Sequence, residues 1–200
     1  MALERWLTER GASIERLARA HAAMGEVEGP GRPLELGRPL AHAYIIRVVA
    51  EFQGFARDVY DLAVEHLVKV AAPREDLVIL LTTAIKRGRQ MDAGNATLTA
   101  LRSDFGRLGV RNLEGKLAAR YPQWDRDKGG IDPVRYGALI DVRNALAHGN
   151  QQQIDELRRQ GRLDTLTWGR KQLAVLNRAA RGLDRTVWEQ MLERTRRPPW

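Results

Sequence analysis

AHAYIIRVVAEFQGFARDVYDLAVEHLVKV, Ala41 to Val70, is the stretch that decides the fold. Its apolar residues Ile45, Val48, Val49, Phe52, Phe55, Val59, Leu62, Leu67 and Val70 return at three- and four-residue steps. At 3.6 residues per turn this gives one helix of about eight turns. A helix that long, apolar along its length yet interrupted by charges, is a core or dimer helix.

The same periodicity extends outward in both directions. Leu3, Trp6, Leu7, Ile14, Leu17 and Ala18 place a stripe on a first helix over residues 1–24, weakened in its middle by Gly11. GEVEGPGRPLELGRP, residues 25–39, is rich in Gly and Pro and reads as a surface loop. Beyond a turn over Ala71 to Asp76, a third helix is expected from Leu77 to about Met91, with Leu77, Leu80, Leu81, Ala84 and Ile85 inward. Short helices are expected over Ala96–Arg107 and Asn112–Arg120, then an irregular loop, YPQWDRDKGGI.

Asp132 followed by Pro133 marks a helix start, because the carboxylate accepts from free backbone N–H groups and proline has none to waste. Gly149 is placed to end that helix. A polar stretch, Gln151 to Arg162, leads to a last helix over about Thr167–Arg194, and residues 195–200 read as a frayed tail. With no run of period two, the expected fold is an all-α bundle of about five to seven helices in one domain, 1–200, whose core bundle is 40–194.

At 200 residues and 44% hydrophobic content the chain can bury a substantial core. The absence of cysteine removes disulfides, thiolate nucleophiles and cysteine-ligated metal centres. No stretch reaches the roughly 20 uncharged apolar residues of a membrane span, and MALERWLTER lacks the order of a signal peptide. A cytoplasmic protein without a membrane partner is the expectation. The net charge of +8 favours polyanions, RNA or DNA, as partners.

Chemistry concentrates in Arg143-Asn144-Ala145-Leu146-Ala147-His148. At about 100° per residue, Asp141, Asn144 and His148 share a helix face, while Leu139, Val142 and Leu146 turn to the core. Arg143 lies off that line, and its planar guanidinium suits a phosphate through paired hydrogen bonds. His148 falls in the last turn, where the helix dipole favours imidazolium and Arg143 opposes it. RNA carries its own nucleophile. A base that takes the 2′-OH proton lets that oxygen attack phosphorus, leaving a cyclic phosphate and a 5′-OH without a metal. Arg143 would answer the developing charge and Asn144 would bond the imidazole or the phosphate.

These residues resemble the motif of the HEPN superfamily, helical domains many of which are ribonucleases, with an arginine, four to six residues, then a histidine near a helix end. Asn144 matches the polar residue usual after the arginine, and Ala43 to Ala63 looks like the long helix of the RiboL-PSP type. The resemblance covers about Ala41 to Leu192. It implies a homodimer with two motifs across a cleft, an RNA substrate, no cofactor or metal, and a toxin or defence effector held silent by an antitoxin or other regulator. Two positions depart from the pattern. Asn150 stands where adenylylated members carry tyrosine, and Gln53 where a glutamate is expected, so that a carboxylate role would fall to Glu51 or Asp58. The alternative is a noncatalytic helical module of the same fold that binds RNA, a nucleotide or a protein; a structural helical dimer is the third reading.

Other chemistries find little support. His21, His42 and His66 are isolated and no HExxH occurs. Ser13 and Ser103 lack a GxSxG setting, and GVRNLEGKL has one residue too many and Leu117 where a phosphate loop needs Ser or Thr. Asp58 with Asp61 and Glu189 with Glu193 are spacings ordinary on solvated helices, and the tryptophans are scattered enough to read as packing anchors.

Overall fold

The computed structural model describes residues 1–25, 34–71, 74–119, 131–161 and 165–200, and all the regular structure among them is helical. In chain order the helices are α1 (Ala2–Arg5), continued through a π-turn (Trp6–Arg10) into α2 (Gly11–Gly25), then α3 (Leu34–Ala71), α4 (Glu75–Lys86) and α5 (Gln90–Ala93). They are followed by α6 (Leu98–Arg107), α7 (Leu113–Ala119), α8 (Pro133–Ala147), α9 (Gln151–Arg159) and α10 (Leu166–Thr195). The all-α bundle expected from the periodicity is therefore the fold.

Helix α3 is the axis of the bundle. Tyr44, Ile45, Val48, Phe52, Phe55, Val59 and Ala63 along it are fully buried, and α10 packs beside it with Leu176, Ala180, Leu183 and Val187. The α10 backbone comes unusually close to side chains of α3 at Gly169, where a Cβ would stand 2.9 Å from Tyr44 Cδ1 and 3.1 Å from Ile45 Cγ1. Trp6 closes the other side of α3, its ring edge-on to Phe52 at 5.8 Å, and Phe52 in turn meets Tyr136 of α8 at 5.6 Å. Such edge-to-face contacts add to the area these rings remove from water.

Several boundaries differ from the sequence expectation, each for a local reason. The first helix runs as expected to Gly25, but its middle, Trp6–Arg10 just before Gly11, is wound as a π-turn. The expected loop 25–39 is helical from Leu34, and Pro39 sits inside α3; so near a helix start proline forfeits a single backbone bond. The remainder of that loop, and YPQWDRDKGGI up to Gly130, lie outside the described residues. The third helix stops at Lys86, and its inward residues are Val78, Leu81 and Ile85, whereas Leu77, Leu80 and Ala84 are exposed.

The polar stretch after Gly149 is also a helix, α9, because Asn150 caps it and Ile154 and Leu157, three residues apart, bury one side. The tail folds back instead of fraying. Arg196 reverses the chain in the left-handed region (φ 57°), Trp200 packs on the core, and its carbonyl accepts from Trp188 Nε1 at 3.1 Å. No described helix is long and apolar enough to cross a membrane.

Candidate functional site: the end of helix α8

Helix α8 is built from its ends inward. Asp132 accepts from the N–H groups of Val134 (3.0 Å) and Arg135 (3.2 Å), with Pro133 as first helical residue. Tyr136, Leu139, Val142 and Ala145 bury one face, and Leu146 packs partly against the core. At the other end His148 is the C-cap and Gly149 takes the left-handed conformation (φ 61°). Asn150 N–H bonds Ala145 O at 3.0 Å and Gly149 N–H bonds Leu146 O at 3.3 Å. That double closure is the Schellman arrangement, in which a glycine ends a helix by reversing the backbone.

The closure leaves Asp141 and His148 exposed on the surface, with Arg143 and Asn144 half-buried. Arg143 Nη1 donates to Asn144 Oδ1 at 3.3 Å, and Asn95 Nδ2 donates to the same oxygen at 2.6 Å. Because a guanidinium only donates, the Asn144 atom facing it must be the oxygen. The carboxamide oxygen is thus engaged twice, and the amide nitrogen is the group Asn144 has to offer. Arg143 forms no ion pair with the described residues, and its Nε is buried without a hydrogen-bond partner.

Asn95 reaches the motif from a strap between α5 and α6 that the sequence did not single out. The buried Asp104 carboxylate accepts from Gln90 N (2.8 Å) and Met91 N (2.9 Å), fixing the start of α5. Gln53 Nε2 donates to Met91 O (2.7 Å) and Gly94 O (2.6 Å), and Arg57 also donates to Met91 O and pairs with Asp92 at 3.0 Å. Tyr136 donates to Ala96 O, and burial raises its phenol far above the ordinary range. Asn95, Asp104 and Tyr136 gave no sequence signal, because the partners they hold lie 13 to 49 residues away along the chain.

The remaining candidates have other tasks. Gln53 holds the strap and so touches the motif only through it. Glu51, about 200° around α3 from Gln53, is 7% exposed and paired with Arg10 (2.6 Å) and Arg47 (2.5 Å). Asp58 pairs with Arg10 as well, at 2.9 Å. Gly54 leaves the room that the Arg10 guanidinium occupies. Asn150 caps α9 by accepting from Gln153 N at 3.0 Å. Of the expected residues, then, Arg143 and Asn144 touch, His148 lies exposed at the same helix end and Gln53 reaches them only through the strap, while Glu51 and Asp58 pair with Arg10 and hold the π-turn on α3.

Among the described residues no group of three or more His, Cys, Asp or Glu is placed to hold a metal ion. No protein-family model, curated protein or solved structure matches the chain.

Proposed function

We propose that the chain is an endoribonuclease of the HEPN type, cutting RNA by 2′-OH attack to leave a 2′,3′-cyclic phosphate and a 5′-OH, and acting as a toxin or defence effector. The observation that carries this reading is the Arg143 guanidinium. Half-buried, without an acidic partner among the described residues, and held by the neutral Asn144, it keeps its full charge for a phosphate. His148 is exposed one and a half turns further on, at the helix end, where its imidazole can take a proton from the 2′-OH. Asn144, its oxygen engaged, would donate through Nδ2 to a phosphoryl oxygen. In-line displacement also needs an acid for the leaving 5′-oxygen. In a homodimer with facing motifs, His148 of the second copy would supply it.

Gln53 favours the second reading, a helical module that binds RNA, a nucleotide or a protein without cutting. Its amide is committed to two carbonyls, and it brings no proton-transferring group to the motif.

The two readings separate when wild type and His148→Ala are incubated with a mixed RNA pool in EDTA and the new ends are mapped. Cleavage by wild type to cyclic-phosphate and 5′-OH ends, reduced about 100-fold or more in the variant, is expected of a general base. No cleavage by folded wild type, or equal cleavage by both, would sink the ribonuclease reading and leave the binding module.

A further inference from the structure

Helix α4, sequence EDLVILLTTAIK, is rich in apolar residues, yet it contributes no buried residue. Val78, Leu81 and Ile85 lean on the core, and on the opposite side Ile79 is 73% and Leu80 63% exposed. Side chains that large and that bare, adjacent on one helix, are a contact surface awaiting an occupant.

The charges on the same face identify the occupant. At about 100° per residue, Asp76, Ile79, Leu80, Thr83 and Arg87 fall within one arc of roughly 100° centred away from the core. The acid stands at the start of this stripe and the base at its end. Arg87 is exposed and forms no ion pair with the described residues, and Asp76 has only the exposed Arg74. Such a stripe is complementary to itself in one orientation. Turned antiparallel about a two-fold axis passing midway between Leu81 and Thr82, a second α4 brings its Arg87 level with Asp76, and its Asp76 level with Arg87. Leu80 then meets its own copy close to the axis. A two-fold contact has to be self-complementary in this way, and opposite charges at both ends fix its register.

We infer that α4 is a self-association surface, pairing antiparallel with α4 of a second copy of this chain through Leu80 and Ile79, with Asp76 and Arg87 setting the register. The inference does not rest on the ribonuclease reading, because no motif residue lies on α4.

Sedimentation equilibrium of the full chain tests it. Wild type is expected to dimerise in the micromolar range, and Leu80→Lys to weaken the dimer at least about ten-fold. The unfolding temperature of the variant, measured where the wild type is monomeric, should stay unchanged, since Leu80 is 63% exposed and is not among the described residues packed on the core. Asp76→Arg and Arg87→Asp should each weaken the dimer, and the double exchange should restore it. A wild type that stays monomeric at high concentration, or a dimer indifferent to Leu80→Lys, overturns the surface. Failure of the double exchange to restore what the single changes remove overturns the antiparallel pairing.

Discussion

At the scale of single residues, the motif depends on neighbours that make no chemistry of their own. Tyr136 is 1% exposed, and its hydroxyl serves the Ala96 carbonyl, one residue beyond the asparagine that holds Asn144. Tyr136→Phe keeps the ring against Phe52 and leaves that carbonyl unpaired, which costs about 1–3 kcal/mol. Equilibrium urea unfolding should show this loss, and a change below about 0.5 kcal/mol would mean that the bond contributes nothing. That Arg143, Asn144 and His148 share one helix end was legible in sequence, because all three lie within two turns of α8. Gln53 stood out in sequence only as an amide where a glutamate is expected, and in the structure it has a mechanical role, tying down the strap. The difference arises from carbonyls at Met91 and Gly94 that only the fold delivers to it.

Elements were legible where periodicity and capping agreed. The Asp132–Pro133 start and the Gly149 stop of α8 were both readable, because each is a local rule about backbone groups. The inward side of α4 was legible only in Leu81 and Ile85, since a helix apolar nearly all round carries little periodic signal to say which side meets the core. The close passage of α10 over α3 was invisible for another reason: nothing near Gly169 in sequence announces Tyr44 and Ile45. Gly169→Ala should lower stability by about 1–3 kcal/mol through overpacking against two fully buried side chains. Gly137→Ala in α8 is the matched control, because its Cβ would meet open space, and there helix propensity should raise stability by up to about 1 kcal/mol. Thermal unfolding of the two variants tests the contrast, and equal shifts would show that backbone propensity rather than contact governs both sites.

For the whole molecule, His66 couples stability to pH. It is 9% exposed on α3, with Nε2 2.8 Å from Thr195 Oγ1 near the end of α10. Burial pushes the imidazole below its ordinary value of 6.5, helped by the nearby positive charges of Arg197 and Lys69. The unfolded chain therefore binds this proton more readily than the folded one, so stability falls as the pH drops below about 6.5 and is kept above it. Asp184, raised by burial, acts in the opposite sense in more acid solution, so the informative quantity is the difference between variants. His66→Gln should flatten the decline between neutral and mildly acid pH in urea titrations; a decline identical to that of the wild type would place its source elsewhere.

Between His148 and Gln151 no residue is spare, because Gly149 reverses the chain while Asn150 closes α8 with its N–H and opens α9 with its side chain. The joint therefore behaves as a rigid bracket with a fixed tooth count. One residue added or removed there would rob one helix or the other of its closure and displace His148. Lineages of this chain should vary in length elsewhere and hold this corner constant.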